Sequence, residues 1–311
     1  MKILVTGGAG FIGSHVCEEL LHSYPTAQVT ILDNLSVGQA ANVSPQFKLV
    51  QMDIRSAEIP AFLVREQFDG IIHLAAQTMV PDSLKNPRFD AEENVMGLVN
   101  VLEAAKDSGV KSMVFSSSAA IYGDNTSLPL LESEVPCPTS FYGLTKTTAE
   151  EYFRLYQKLY NMNMTVLRFA NVYGERQGMS GEGGVISIFA KKLVQGEAIQ
   201  VFGDGQQTRD FVYVKDIAKA LCLALSHHGL GLFNVSTGQE VSLNKLITTF
   251  AQTLGVEPKV EYLPPRAGDI YRSVLSNQAI GAELGLTEFT PLEKGLAQTC
   301  AYFKEIYNKT I

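Results

Sequence analysis

A tyrosine and a lysine four residues apart, Tyr142 and Lys146, stand at the start of a segment with strong helix character, residues 147–159. On a helix this spacing places both side chains on one face, so the phenol and the ammonium lie close together. A phenol with its ordinary pKa of about 10 is a poor base near neutral pH, and a neighbouring cation lowers that pKa. The pair is therefore a candidate for moving a proton at a substrate hydroxyl, although the same spacing also occurs in ordinary pairs on helix surfaces.

Hydroxyl groups follow an apolar run upstream of this pair. Residues 112–117 have the length and composition of a strand, and Ser116 and Ser118 stand at its carboxyl end. In open α/β sheets this end of the strands faces the ligand. Tyrosine, lysine and serine together form a set suited to hydride transfer at an alcohol, with the tyrosine as the base.

Three regularly spaced glycines, Gly7, Gly10 and Gly13, lie between a predicted strand at residues 3–6 and a predicted helix at residues 13–21. In a dinucleotide-binding turn the first glycine permits the tight bend, the second lets the backbone approach a pyrophosphate, and the third allows close packing of helix on strand. The helix N-terminus adds unpaired N–H groups and a partial positive charge. The pattern favours a bound dinucleotide over an incidental glycine-rich turn.

Acidic residues after the next two strands indicate which dinucleotide is bound. Asp33 ends the second predicted strand, 20 residues after Gly13, where a carboxylate can bind ribose hydroxyls. This carboxylate would repel a 2′-phosphate, and neither Asn34 nor Leu35 supplies a cation, so NAD is predicted rather than NADP. Asp53, after the third strand, is either an acceptor for the adenine amino group or a turn cap.

The elements that must position these residues alternate between strand and helix. Short apolar runs recur at residues 3–6, 29–33, 48–52, 71–74, 112–117 and 165–169, mostly separated by segments with helical periodicity. Continuously apolar strands suit a parallel sheet that is covered on both faces. The sequence therefore predicts an α/β fold, a doubly wound parallel sheet of the Rossmann type, with a smaller mixed α/β C-terminal substrate domain. That second region includes a predicted helix at residues 185–195. His73 is predicted to be a packing residue at a strand end, and His227 and His228 an exposed helix end.

Composition and charge narrow the class of protein. Of 311 residues, 46% are hydrophobic and 18% are charged, as in ordinary globular proteins. The formal net charge is −7, so no net positive field is available to gather nucleic acid or anionic lipid. The four cysteines are widely spaced, and the chain shows neither a signal peptide nor the roughly 18 apolar residues of a membrane helix. We expect a cytoplasmic protein without nucleic-acid, membrane or metal partners.

Together these motifs resemble the short-chain dehydrogenase/reductase superfamily, in its extended branch that acts on nucleotide sugars. The marks of the family occur in order along nearly the whole chain: the glycine turn, His-Leu-Ala-Ala at residues 73–76, the Ser118 region and the Tyr142 to Lys146 motif. The resemblance implies that Tyr142 is the catalytic base, that Lys146 binds the nicotinamide ribose and tunes the tyrosine, and that Ser118 positions the reacting hydroxyl. It also implies NAD contacts from the turn, the strand ends and one helix face, namely Gly7, Gly10, Phe11, Ile12, Gly13, Asp33, Asn34, Asp53, Ile54, Leu74, Ala75, Ala76, Asn94, Ser116, Tyr142 and Lys146.

The residues after the strand serine distinguish the reactions of this branch. By resemblance, enzymes that eliminate water carry an Asp-Glu pair there and nucleotide-sugar decarboxylases keep a Glu, whereas this chain has Ala119 and Ala120. Alanine cannot move protons, which argues against both reactions. The stretch 115–124 resembles that of the UDP-glucose 4-epimerases and implies interconversion of UDP-glucose and UDP-galactose through a 4-keto sugar. A UDP-glucuronate 4-epimerase and a non-catalytic NAD sensor or scaffold are the alternatives, and dTDP could replace UDP.

The C-terminal half resembles the nucleotide-sugar-binding segments of the family. The implied substrate contacts are Ser118, Asn171, Val185, Arg209, Arg266, Asp269 and Ser273. Arginine's planar donor fork suits phosphate oxygens, although two arginines in glycine- and proline-rich loops could also form surface ion pairs. By alignment, Ser273 stands where a small residue admits N-acetyl sugars, so UDP-GlcNAc and UDP-GalNAc are expected as further substrates. A slip of two residues onto Tyr271 would reverse this expectation.

The resemblance also implies a domain division and a dimer. Residues 1–168 are expected to form the NAD-binding domain, with return segments near 210–235, and residues 169–311 mostly the nucleotide-sugar-binding domain. Members of the family pair through two helices each, here near residues 93–106 and 141–159, so a homodimer is expected. Tyr152, Phe153 and Tyr156 are compatible with burial between the subunits, although periodicity alone does not distinguish this from burial in the core.

Overall fold

The computed structural model of the protein describes residues 1–178, 183–265 and 270–308. Its first part contains, in order, β1 (Lys2–Thr6), α1 (Phe11–Ser23), β2 (Gln28–Asp33), β3 (Lys48–Gln51), α2 (Ile59–Glu66), β4 (Gly70–His73), α3 (Val80–Lys85), α4 (Pro87–Ala91), α5 (Gly97–Asp107), β5 (Ser112–Ser118), α6 (Phe141–Tyr160) and β6 (Asn163–Phe169). A π-helical turn, Glu92–Met96, joins α4 to α5, and 3₁₀ turns occupy Ala40–Asn42 and Ala119–Tyr122.

The second part contains shorter strands. In order, it consists of β7 (Asn171–Tyr173), α7 (Val185–Val194), β8 (Ile199–Phe202), β9 (Thr208–Arg209), β10 (Phe211–Tyr213), α8 (Val214–Ala224), β11 (Leu230–Val235), β12 (Val241–Ser242), α9 (Leu243–Leu254), β13 (Val260–Leu263), α10 (Gln278–Leu284) and α11 (Leu292–Asn308). Within the described ranges, no helix is both long and apolar enough to cross a bilayer.

Seven strands form one parallel sheet in the order β11-β6-β5-β4-β1-β2-β3. The central strand β1 pairs with β2 on one side and with β4 on the other, so Val5 lies between Ile31 and Ile72. All three side chains are completely buried, as expected for strands covered on both faces. The strand order reverses at β1, and open α/β sheets bind ligands at the carboxyl ends of the strands at such a point.

Helices cover both faces of this sheet. On one face, Leu20 of α1 and Leu221 of α8 pack in one cluster with the strands. On the other face, Leu102 of α5 and Phe153 of α6 do the same. A third cluster joins α7, α9 and α11 to β8 and β10 in the second part of the chain. The sheet is thus covered on both faces, and its carboxyl edge faces the smaller C-terminal elements.

The predicted fold class, a doubly wound parallel sheet, is confirmed by this topology. The predicted helices at residues 13–21, 147–159 and 185–195 correspond to α1, α6 and α7. The strand β11 pairs in parallel with β6 and completes the sheet from the second part of the chain. The domain boundary at residue 168 stays a prediction.

Burial in the structure decides two expectations about particular side chains. Phe153 and Tyr156 belong to the core beneath the sheet, one of the two alternatives that periodicity left open, and Tyr152 is partly buried against the same cluster. Helical periodicity gave no means of separating the face of α6 that packs on the sheet from the opposite one. His227 is half-buried rather than exposed, and its ring packs edge-on against Phe233, while His228 is exposed.

Candidate active site

Two glycines at the turn between β1 and α1 have no space for a side chain. Gly7 has a φ of +70°, and a Cβ there would lie 2.7 Å from the backbone nitrogen of Ala75. A Cβ at Gly13 would lie 2.2 Å from the carbonyl oxygen of Gly7. Gly10 is the N-cap of α1, and no side chain caps this helix. The first-turn N–H groups of α1 therefore face the crevice without an intrahelical acceptor and fit the pyrophosphate of a dinucleotide.

Asp33 presents its carboxylate beside this turn. It is buried at the end of β2, where Oδ2 accepts a hydrogen bond from the Ala9 N–H (3.0 Å) and Oδ1 accepts from the Leu35 N–H (2.8 Å). Each carboxylate oxygen can accept a further hydrogen bond. The position suits binding of ribose hydroxyls by a dinucleotide that lies on the turn.

Asp53 is held by a neighbour that the sequence analysis did not single out. Arg55 donates to both carboxylate oxygens of Asp53, at 2.9 and 2.7 Å, and Asn34 donates to Oδ2 at 3.0 Å. The hydrogen bonds from Arg55 hold the pKa of Asp53 well below its ordinary value. Arg55 also pairs with Glu93 at 2.6 Å, so its charge is matched by two carboxylates. The only sequence signal for this cluster is the Asp-x-Arg spacing.

The helix α6 brings Tyr142 and Lys146 to the carboxyl end of β5. The hydroxyl of Ser140 accepts a hydrogen bond from the Gly143 N–H at 3.1 Å and so caps the helix just before the tyrosine. The ammonium of Lys146 donates to the carbonyl oxygen of Ser116 at 2.8 Å. It also lies 5.7 Å from the centre of the Tyr142 ring. The structure thus brings the predicted tyrosine, lysine and serines together.

Burial has the largest effect on the pKa of Tyr142. Burial raises the pKa of Tyr142 to about 12, while a hydrogen bond with Ser118 lowers it and the charge of Asp90 raises it further. Burial lowers the pKa of Lys146 to about 8, against the charges of Asp90 and Glu150. The prediction that Lys146 together with a positive nicotinamide ring lowers the pKa of the tyrosine stays a prediction, and loss of hydration has the largest effect among the protein's own groups.

A buried polar network lies beside this pair. Asn94, in the π turn, accepts from the Gln77 N–H at 2.8 Å and donates to the Gln77 carbonyl at 3.0 Å. The completely buried Asp90 accepts from the hydroxyl of Thr145 at 2.8 Å and from the side-chain amide of Gln77 at 2.8 Å. The resemblance implies Asn94, whereas no sequence motif points to Asp90, Gln77 or Thr145.

The other predicted cofactor residues surround the same crevice. Leu74 and Ala75 follow β4, and their N–H groups donate to the Thr6 hydroxyl at 3.2 and 3.3 Å. Ser116 is buried at the end of β5. Ile54 is also buried, and it packs so closely on Gly97 that a Cβ on that glycine would lie 2.6 Å from the Ile54 side chain. Half-buried members of the predicted set are Phe11, Ile12 and Ala76.

The predicted substrate residues are spread over the C-terminal elements. Asn171 begins β7 with an exposed side chain, Val185 begins α7, and Arg209 is half-buried in β9, where it donates to the Thr208 carbonyl at 2.8 Å. Arg266 and Asp269 lie outside the described residues. Ser273 is half-buried, and Tyr271 two residues earlier is exposed.

A cavity of about 560 Å³ opens between β8 and the residues after β13. Its walls are formed by Phe202, Gly203, Asp204, Gln207, Leu263, Pro265, Ile270 and Tyr271. Among the described residues, the side-chain oxygen of Gln207 has no hydrogen-bond partner, and it is buried away from solvent. The cavity therefore offers mainly apolar walls, with Pro265 and Ile270 among them.

Comparison with known proteins gives this arrangement a family. Residues 3–236 match the sequence model of the NAD dependent epimerase/dehydratase family. The chain belongs to that family. A putative UDP-glucose 4-epimerase of Methanocaldococcus jannaschii is 40% identical over 303 residues, which cover 97% of this chain and 98% of the relative.

Two solved structures are similar over almost their whole length. A UDP-glucose 4-epimerase of Thermotoga maritima with UDP-glucose has a TM-score of 0.95 at 38% identity, covering 99% of this chain and 100% of the other. A UDP-N-acetylglucosamine 4-epimerase of Methanobrevibacter ruminantium in complex with UDP-N-acetylmuramic acid has a TM-score of 0.91 at 33% identity, covering 98% of each chain. The predictions of an extended short-chain family member, of an epimerase and of NAD as its cofactor are confirmed. The roles of individual residues stay predictions.

Proposed function

We propose that this member of the epimerase/dehydratase family is a UDP-hexose 4-epimerase that interconverts UDP-glucose and UDP-galactose. The observation that carries the proposal is the cluster of Tyr142, Lys146 and Ser118 at the sheet edge, next to a glycine turn that fits NAD. Ala119 and Ala120 follow the serine in a 3₁₀ turn, so these two positions supply no acid or base for elimination. Full-length similarity to UDP-sugar 4-epimerases supports the same reaction.

We assign a separate role in the reaction to each residue of the site. NAD, when bound, supplies reversible hydride acceptance at the sugar C4. Tyr142, as phenolate, takes the proton of the C4 hydroxyl and returns it after the 4-keto sugar has presented its other face. Ser118 holds that hydroxyl through the hydrogen bond it shares with the phenol. Since burial raises the pKa of Tyr142, we assign the lowering that the reaction needs to the positive charge of the bound nicotinamide ring together with that of Lys146.

The nucleotide end of the substrate fits the cavity lined by Phe202, Gln207 and Tyr271. Arg209 is the described arginine assigned to the diphosphate, and Asn171 is assigned to the same group. Arg209→Ala should raise KM for the UDP-sugar far more than Arg272→Ala, because Arg272 is exposed and paired with Glu240.

The sugar scope depends on Ser273. A half-buried serine at this position leaves room near the C2 substituent, so we propose that UDP-GlcNAc and UDP-GalNAc are substrates as well. Ser273→Tyr should abolish N-acetyl turnover and spare UDP-glucose. Survival of both activities would show that Ser273 does not line the sugar pocket. The variant Tyr271→Ser serves as the comparison with Ser273→Tyr, because Tyr271 lines the cavity assigned to the nucleotide.

The direct test of the proposed function is a panel of UDP-sugars with no added NAD⁺. We expect the purified protein to convert UDP-glucose and UDP-galactose into each other, because NAD that stays bound is regenerated in every cycle. Conversion of UDP-glucuronate alone would assign the chain to the UDP-glucuronate 4-epimerases. Bound NAD without turnover of any UDP-sugar would indicate a non-catalytic NAD-binding protein.

We propose a homodimer formed through two helices of each subunit, near residues 93–106 and 141–159, which correspond to α5 with the π turn before it and to α6. An exposed apolar stripe runs along α6 through Leu144, Leu155 and Leu159, and Met96 of the π turn is exposed as well. Adjacent helices of this kind can pair with a second copy in a four-helix arrangement. A cytoplasmic location stays a prediction.

A further inference from the structure

The ammonium of Lys146 is buried against an aromatic ring. Its nitrogen lies over the ring of Phe115, 4.7 Å from the ring centre, and both residues are almost completely buried. The face of an aromatic ring carries partial negative charge, and it attracts a cation that lies within about 6 Å of the ring centre. This attraction is stronger where water is excluded. Phe115 is therefore a favourable contact for the charged form of the lysine.

The other contacts of this ammonium are neutral. It donates a hydrogen bond to the Ser116 carbonyl oxygen at 2.8 Å, and it lies 5.7 Å from the centre of the Tyr142 ring, further than from the Phe115 ring. Burial lowers the pKa of the lysine to about 8, and Asp90 and Glu150 raise it through their charges without an ion pair to the ammonium in the described part of the chain. A buried cation needs neighbours that stabilise its charge, and the ring of Phe115 meets that need directly.

The titratable groups around the ammonium have other partners or are neutral. Glu150 lies one turn further along α6 and is paired with Arg168 of β6 at 2.7 Å. Asp90 of α4 accepts hydrogen bonds from three neutral side chains. Burial lowers the pKa of His73 to about 3 and raises that of Tyr142 to about 12, so both are neutral near pH 7. These groups leave the ring face as the closest stabilising contact of the charge.

Two further rings fix the orientation of Phe115. The ring of His73 stacks on it with the ring centres 6.2 Å apart and an angle of 24° between the planes. Phe153 of α6 packs against it with the ring centres 5.2 Å apart. Both neighbours are buried, so the Phe115 ring cannot turn away from the ammonium without displacing them.

We propose that Phe115 is a positioning residue whose ring face stabilises the charged ammonium of Lys146 and holds it at the carboxyl end of β5, beside Tyr142. An ammonium has three N–H donors, and the Ser116 carbonyl takes one of them, so the lysine can still donate to a bound cofactor while the ring contact is kept. The catalytic meaning of this inference rests on the proposed function, whereas the contact between ring and ammonium does not.

Replacement of Phe115 alone by mono-, di- and trifluorinated phenylalanine tests the proposal, because each fluorine withdraws charge from the ring face and nearly keeps the shape of the ring. The readout is NMR of lysine labelled with ¹³C at Cε in the NAD-bound protein, with the Lys146 resonance identified by its loss in Lys146→Arg. We expect the titration midpoint of Lys146 to fall with each added fluorine, by about one pH unit over the series. An unchanged midpoint overturns the proposal.

The matched control is the same series of fluorinated residues at Phe153. This ring packs against Phe115, and among the described residues no cation lies over it, so the midpoint of Lys146 should stay unchanged. An equal shift from both positions would show that the effect does not act through the face of the Phe115 ring. Phe115→Leu is the second variant, because it keeps an apolar side chain and removes the ring. Its midpoint should fall as far as in the trifluorinated protein, and no fall there also refutes the proposal.

A packing role alone gives a different result. It predicts a loss of stability in Phe115→Leu and a constant midpoint across the fluorine series, since the shape of the ring is kept. The charge role predicts that the alkaline limb of the pH profile of kcat moves to lower pH together with the midpoint, with KM for the UDP-sugar within about two-fold of wild type. Failure of the proposed function is separate, because it would appear as a wild-type protein without UDP-sugar turnover, while the lysine titration would still respond to the fluorines.

Discussion

Replacing Gly13 by alanine should both destabilise the protein and remove its cofactor. The new methyl carbon would lie 2.2 Å from the Gly7 carbonyl oxygen, 2.6 Å from the Gly8 Cα and 2.9 Å from the Gly7 carbonyl carbon. All three are backbone atoms, so the turn has to move by more than about 1 Å to restore ordinary contacts. Overpacking costs about 1–3 kcal/mol, and the better helix propensity of alanine returns at most about 1 kcal/mol. We expect a net loss of about 2 kcal/mol in the free energy of unfolding.

The same displacement moves the N–H groups that should bind the pyrophosphate. We expect the NAD content of the purified variant to fall at least about ten-fold, which corresponds to about 1.4 kcal/mol of binding free energy. The assay combines urea unfolding with release and quantification of bound NAD.

A matched glycine in another helix provides the control. In Gly281→Ala, within α10, the nearest atoms to the new Cβ lie 3.6 and 3.7 Å away, which is ordinary contact. This variant should gain about 0.5–1 kcal/mol from helix propensity and keep its NAD. A Gly13→Ala protein with wild-type stability and a full complement of NAD would show that the turn does not hold the pyrophosphate in a tight backbone site.

Three further outcomes follow from buried charges and exposed apolar surface. Arg168→Met leaves the buried Glu150 without its partner and should cost about 3–5 kcal/mol in urea unfolding, whereas a cost below 1 kcal/mol would show that water reaches the carboxylate. Burial lowers the pKa of His73 to about 3, so between that pH and 6.5 the unfolded chain binds more protons than the folded one. This group should therefore make the free energy of unfolding about 2 kcal/mol lower at pH 5 than at pH 7. His73→Gln should reduce this dependence of stability on pH. Leu155→Glu, on the exposed stripe of α6, should give monomers in sedimentation, and an unchanged sedimentation coefficient would rule out this face as the dimer interface.

Much of the fold followed from local sequence signals. The glycine turn, the first strands and the helix that carries Tyr142 are each specified by residues close together in the chain, and their spacing has a direct geometric meaning. The strand β11 gave a weaker signal, because it returns to the sheet after the C-terminal elements have begun and pairs with β6 across 66 positions. Its place in the sheet depends on tertiary packing.

The site was predictable in its residue types but not in its electrostatics. The contact between Asp90 and Thr145 spans 55 positions, and no motif joins them. The pKa of Tyr142 depends on how completely the surrounding chain removes water, which spacing along a helix does not encode. Likewise, Phe153 and Leu155 are only two residues apart on α6, yet one lies in the core and the other is exposed. The helical pattern alone did not indicate which side packs on the sheet.

The role of Tyr142 as the catalytic base is tested most directly by the turnover of UDP-glucose in the variant Tyr142→Phe. This change removes only the phenolic hydroxyl, and loss of a positioned base should lower kcat by about 10²–10⁴-fold while NAD stays bound. Tyr160→Phe, at the exposed end of the same helix, should be as active as the wild type. A Tyr142→Phe protein that retains its NAD and epimerises UDP-glucose within a few-fold of the wild-type rate would show that Tyr142 is not the catalytic base.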